Sequence, residues 1–196
     1  TEGTFYPDAD PEASTVDGYL KAYTPNTTDF SVMRSVADAY LSASSIDSGP
    51  MAHYEYVGEA TNNLYMTRSV FLFDTSLIGS TATITNASIN LYGAGKINQL
   101  GSTSFDIVSS NPSSNTNLIN SDFSYTKFGT TVYATVDYAS FITTDYNILT
   151  LNSNGLSAIN KTSITKFGAR LGWDTNNSFT GSLVLNYQTT FSGRFA

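Results

Sequence analysis

Apolar residues recur at every second position through much of the chain. In Ser163–Trp173, Phe167, Ala169, Leu171 and Trp173 share one face, and Lys166, Gly168, Arg170 and Gly172 share the other. That is the pattern of a half-buried strand, because side chains on a pleated backbone alternate between its two sides. Leu183, Leu185 and Tyr187 repeat it, and Ala87, Ile89 and Leu91 alternate with Ser88, Asn90 and Tyr92. Thr131–Tyr138, Asp145–Leu151, Ser104–Val108, Tyr19–Tyr23, Phe30–Val36 and Ala52–Val57 are further predicted strands. Asp17-Gly18, Ser48-Gly49-Pro50, Gly79-Ser80, Gly93-Ala94-Gly95, Asn111-Pro112-Ser113-Ser114, Asn154-Gly155 and Thr180-Gly181 punctuate them as turns. Two segments break the rhythm, and a short helical turn is predicted in each: Asn115–Tyr125 and Gly155–Ile159. Eight to ten short strands without helical alternation predict an all-β chain. The expected fold is a single antiparallel β-sandwich of jelly-roll type covering residues 1–196.

Val70-Phe71-Leu72-Phe73 departs from the alternation, being apolar on both faces. An antiparallel strand with one wet side does not read this way. Either the chain's own loops cover the outer face or another subunit does. The second reading places Phe71 or Phe73 at an interface.

Composition narrows the function classes. There is no Cys and one His among 196 residues, which excludes thiol nucleophiles, thiolate metal sites and any two-imidazole metal site within one chain. Ser, Thr and Asn supply more than a third of the chain, while charged residues supply 13%. The surface is therefore polar but mostly neutral. The net charge of −7 gives no general field for nucleic acid or for an anionic membrane surface. The charge is uneven. Residues 1–60 carry ten acids against Lys21 and Arg34, and the remainder carries six acids against seven bases. Such an asymmetry would orient neighbouring copies; a solvated acidic edge is the simpler explanation. No stretch is apolar enough to span a membrane as a helix. The chain begins without Met or a leader and reads as a trimmed product or part of a longer one.

Candidate chemistry is sparse. Asp8, Asp10, Glu12 and Asp17 offer hard oxygen ligands within ten residues, as a structural Ca²⁺ needs, although Pro11 stiffens the loop and Ala13 stands where an EF-hand requires Gly. A solvated acidic loop is the alternative. His53, near Glu55, has no nucleophile or second base beside it, and no local pair of carboxylates marks a glycosidase. No residue is assigned a catalytic, cofactor or metal role. Tyr54, Tyr56 and Tyr92 are candidate platforms for sugar stacking, with sheet packing as the competing role, whereas the register of Trp173 assigns it to the core. Sequons at Asn26, Asn86, Asn160 and Asn176 are as many as chance supplies.

The run Arg68-Ser69-Val70-Phe71-Leu72-Phe73-Asp74-Thr75-Ser76-Leu77-Ile78, followed by Ala82-Thr83-Ile84 and Ala87-Ser88-Ile89-Asn90-Leu91-Tyr92-Gly93, resembles the signature of the DNRLRE, or disaggregatase-related, β-sandwich modules. The opening Thr4-Phe5-Tyr6-Pro7-Asp8 with Ser14–Tyr19, and the late Leu151–Leu156 with Lys161–Gly168, are similar to a subset found in tailed-phage and environmental-virus proteins. Leu72 stands where many cell-surface members carry Arg, and the string that names the family is absent. The resemblance implies a non-enzymatic jelly-roll-like sandwich on a virion, a cell surface or a secreted protein. The leading expectation is a structural module, a capsid-decoration or fibre component whose partners are other protein subunits, found on a virion surface or extracellularly. A carbohydrate-binding module with a polysaccharide partner is the first alternative. A filament subunit joined by strand donation is the second, and requires the first twenty residues to pair with another copy.

Overall fold

The computed structural model describes residues 2–8, 13–44, 46–58 and 61–195. It is an all-β protein built on one large, nearly closed antiparallel sheet. Among the described residues there are ten strands: β1 (Asp17–Pro25), β2 (Leu41–Ala43), β3 (Ser48–Gly58), β4 (Asn62–Asp74), β5 (Ser88–Asn98), β6 (Ser104–Ser109), β7 (Ala134–Asp137), β8 (Tyr146–Thr150), β9 (Ile164–Leu171) and β10 (Tyr187–Arg194). Three short helices interrupt them: α1 (Phe30–Arg34), α2 (Ser153–Ala158) and α3 (Gly172–Asn176). Two 3₁₀ turns, Asn120–Phe123 and Tyr125–Lys127, lie in and next to the predicted helical segment 115–125. The strand order is β7-β6-β9-β4-β3-β10-β5-β8, with β1 on β4 and β2 on β1.

β4 organises the fold because it has three partners. β1 runs along Asn63–Phe71 and fills one edge. The opposite edge is shared end to end: β3 pairs with Asn62–Thr67 and β9 with Ser69–Asp74. Arg68 falls at the changeover. The chain thus divides the sheet at this residue, and the loops that follow β6 and β9 fold over the point of division.

This arrangement explains the doubly apolar run. Phe71 stacks on Phe195 with ring centroids 5.6 Å apart, Phe73 packs edge-on against Phe167, and Val70 and Leu72 are buried. Phe71 is in the core and Phe73 is half-buried. The chain's own elements therefore cover this strand, and the interface expected there is withdrawn.

Other expectations are corrected as well. The predicted strand Phe30–Val36 holds α1 (Phe30–Arg34) instead, because Asp29 caps the Ser31 amide and Phe30 and Met33, one turn apart, both bury. β9 is not half-buried: Thr165, Gly168 and Arg170 are buried along with Phe167, Ala169 and Leu171. The strand ends at Leu171, so Trp173 reaches the core from α3, not from the strand. Leu183 and Leu185 precede β10, Leu185 in a turn with Asn186, which adopts φ 62°, while the turns predicted at Ser48–Pro50 and Gly93–Gly95 lie inside β3 and β5. β1 lies in its own sheet, which removes the free N-terminal strand that donation between copies requires.

Candidate functional site

Three regions concentrate polar or exposed aromatic side chains. The first is buried. Asp174 on α3 accepts from Arg68 Nε and Nη2 at 2.7 and 2.9 Å and from Arg170 Nε and Nη2 at 2.8 and 2.7 Å. Arg34 Nε lies 3.3 Å from the same carboxylate and donates to the Asp174 carbonyl at 2.9 Å. The remaining donors of the buried pair reach backbone: Arg68 to the carbonyls of Phe123 and Arg34, and Arg170 to that of Gly129. The Phe123 ring lies 4.3 Å from the Arg68 guanidinium carbon. Burial pushes the Asp174 carboxyl up, but the guanidinium of Arg68 and the bonds from Arg170 and Arg68 outweigh it and hold the group below the ordinary carboxylate range. Every lone pair of Asp174 is occupied. The centre fastens α1, β4, β9 and α3 together and offers nothing to a substrate.

The second region includes the predicted acidic loop. Asp10 and Glu12 lie outside the described residues. Asp8 accepts from the amides of Ala13, Ser14 and Thr15 and from the Ser14 hydroxyl, so its carboxylate is occupied by backbone and hydroxyl donors. Those bonds hold it below its usual range, and bonds to Ser76 do the same for Asp74, which lies near enough for the two charges to interact. Neither is poised as a general acid, which needs the opposite shift. Asp17 is buried on β1 opposite Phe71. Among the described residues, no three His, Asp or Glu side chains gather as a metal-binding group.

The third region is exposed and lies on the β1–β4–β3 surface. The pairing places Tyr23 beside Tyr65 and Tyr65 beside Glu55 in one row, with Lys21, Thr67 and His53 in the next. Tyr40 joins from the residue before β2, held by its amide on the Lys21 carbonyl at 3.0 Å. Tyr23 and Tyr65 stack at 5.7 Å and 25°, and Tyr40 meets Tyr23 edge-on at 5.5 Å. Tyr23 and Tyr40 remain 46% and 49% exposed. The Lys21 ammonium sits 5.0 Å from the centre of the Tyr65 ring and 3.8 Å from Glu55 Oε2. His53 lies beneath, Nε2 3.4 Å from the same oxygen, and burial pushes its imidazole below the ordinary range.

The chain matches no family model, no curated protein and no solved structure.

The tyrosines singled out in the sequence fare differently. Tyr54 is buried among Phe30, Trp173 and Phe179, so it is no platform. Tyr56 is half-buried, with its hydroxyl bonded to Asn62. Tyr92 is half-buried under Arg194 and against Tyr146. Lys21 and Tyr23 fall within the predicted strand Tyr19–Tyr23. Adding Tyr65 and Tyr40 needed the register of β1 on β4 and the position of β2, which no local pattern encodes. His53 is buried, with the Thr67 hydroxyl 3.5 Å from Nδ1 and Glu55 Oε2 3.4 Å from Nε2.

Proposed function

We propose that the chain is a non-enzymatic module of a multi-subunit surface, in the simplest case a capsid-decoration or fibre component of a phage-like virion, working through contacts with neighbouring protein subunits. One observation carries this reading: the end strand β8 presents an unguarded apolar face. Its Asn147 and Leu149 point inward, whereas Tyr146 and Ile148 are 57% and 71% exposed. Among the described residues, β8 forms its ladder only with β5. The sequence Tyr146-Asn147-Ile148-Leu149-Thr150 contains no Lys and no Pro, the residues that usually blunt an edge. The most deeply buried charges, Arg68, Arg170 and Asp174, are spent on one another inside the fold. The viral setting rests on the resemblance of the Arg68–Gly93 run and the terminal segments to phage-type modules.

The test is incorporation. Labelled chain should co-purify with particles and appear in repeated copies by electron microscopy. Ile148→Asp should remain a folded monomer yet fail to incorporate. A chain that never associates with particles, or an Ile148→Asp variant that incorporates normally, overturns the reading.

A further inference from the structure

The edge of β8 carries an inference that rests on the reading above and goes further by naming the partner. We infer that two copies of this chain join edge to edge through β8, antiparallel about a two-fold axis at Ile148. The backbone fixes the geometry. The Leu151 amide donates to the Ala87 carbonyl at 2.9 Å and the Gly93 amide to the Asp145 carbonyl at 3.1 Å. Leu91 opposite Asn147 and Ile89 opposite Leu149 continue the same register, so the odd-numbered residues of β8 form the hydrogen-bonded pairs with β5. The main-chain groups of Tyr146, Ile148 and Thr150 therefore point away from β5. Asn152, the next in that outward set, is already engaged, its amide on the Tyr133 carbonyl at 2.8 Å. The Tyr146 amide turns back to Asp145 Oδ1 at 2.7 Å, which leaves the Tyr146 carbonyl and both groups of Ile148 and Thr150. Among the described residues, none of these has a main-chain partner.

A short outward run centred on Ile148 selects a second copy. The partner must be an equally short, uncharged edge that offers main-chain groups at alternate positions, and β8 meets those terms itself. Turned about Ile148, it sets Ile148 opposite Ile148 and Tyr146 opposite Thr150. All of these are outward residues, so the ladder continues without a slip and stops short of Asn152. The outer side chains match as well: an aliphatic pair lies on the axis, with an aromatic beside a β-branched residue on either side, pairings that stabilise sheets. The Tyr146 ring is already set by the edge of Tyr92, 5.4 Å away. Charge does not oppose the union. Tyr146–Thr150 holds no charged residue, and the two copies of Asp145 fall at opposite ends, about 20 Å apart by strand rise and beyond a screening length of about 8 Å. The other free edges fit less well. β2 has only three residues, and β7 ends on Asp137 and has the carbonyl before it, on Tyr133, taken by Asn152. A strand joint this short is small beside the about 1,200–2,000 Å² of a stable complex, so the dimer is reversible.

The chain has no Cys, so single-cysteine variants report the contact directly. Across a hydrogen-bonded antiparallel pair the Cα atoms lie about 5.5 Å apart, within disulfide reach. In mild oxidant, purified whole chain carrying Ile148→Cys should form a covalent dimer at least about tenfold faster than chain carrying Ser88→Cys, which lies on the same outer face but one strand in from the edge. Tyr146→Cys and Thr150→Cys should each dimerise slowly alone and quickly when mixed, the signature of this register. Ile148→Lys added to both members of that mixture sets two ammonium groups on the axis and should return it to the slow rate. All these positions are exposed, and a parent-like circular dichroism spectrum verifies that each variant folds. An Ile148→Cys rate equal to that of Ser88→Cys, or a mixture no faster than its components, overturns the inference. If Ile148→Asp loses particle incorporation while these cross-links do not form, β8 docks on a different subunit: this inference falls and the reading above stands. Cross-links without incorporation give the reverse.

Discussion

Arg68 and Asp174, 106 residues apart in the chain, meet in the interior through two hydrogen bonds of 2.7 and 2.9 Å. Arg68 stands where β4 changes partner from β3 to β9, and Asp174 lies on the helix that ends β9's excursion. The carboxylate neutralises one of three guanidinium groups around it, and backbone carbonyls take most of the other donors. Removing the acid therefore leaves a buried cluster of unbalanced cations.

Asp174→Asn should accordingly cost at least about 3–5 kcal/mol, the range for breaking a buried ion pair from one side. Urea unfolding followed by fluorescence of Trp173 measures it. Acid should reproduce the effect: a carboxyl with a depressed folded pKa stabilises fully above the unfolded value of about 4, and that stability is lost as pH falls below it.

His53 adds a separate dependence at higher pH. Burial lowers its folded pKa, so the unfolded chain binds the proton first. Stability should fall as pH drops below about 6.5, with a slope of up to about 1.4 kcal/mol per pH unit. His53→Gln should flatten the urea-midpoint profile between pH about 5 and 6.5 while leaving the steeper loss near pH 4.

Tyr54 is fully buried and its hydroxyl has no hydrogen-bond partner among the described residues. Burial accordingly pushes its phenol well above the usual range. Tyr54→Phe keeps the contacts to Phe30, Trp173 and Phe179 and removes the unpaired group, so stability should rise by about 1 kcal/mol. A thermal midpoint lower than the parent's would refute this.

Phe71 belongs to the core, not to an interface. Phe71→Ala should cost about 3–5 kcal/mol, and Phe71→Asp should leave no folded monomer at all. Circular dichroism of the purified variants distinguishes this from a surface role, in which both would fold.

Gly18 holds β1 against β2. Its φ of +153° is one that other residues avoid, and a Cβ there would run into the Ala43 carbonyl oxygen. Gly18→Ala should cost about 1–3 kcal/mol and release β2, seen as faster amide exchange at Leu41–Ala43 than in the parent.

Where each segment buries a single face, its pattern and its structure agree. β8 shows this plainly: Tyr146, Ile148 and Thr150 face out, and Asn147 and Leu149 face in. The first half of β5 follows the same logic, with Ile89 and Leu91 facing in, whereas β6 buries Phe105, Asp106, Ile107 and Val108 in succession; the two helical interruptions fall in or near their predicted places. The failures share a cause. The polar face of Lys166, Gly168 and Arg170 predicts a half-buried β9, yet the Arg170 charge is met by Asp174 within the interior and Gly168 is buried too. The apolar spacing of Phe30–Val36 suits a strand, but the Asp29 cap starts a helix there.

The sequence by itself determined the fold class, the strand periodicity and the scarcity of catalytic groups, because these depend on neighbours in the chain and on what residue types are present. Tertiary structure alone decided which faces stay open. Register across strands that are distant in the chain set Tyr23 beside Tyr65 and Tyr65 beside Glu55. It also sank Phe71 beneath Phe195 and closed the arginine centre on Asp174. Such juxtapositions arise from pairing between remote segments, and an alternation of two residues carries no record of its partner.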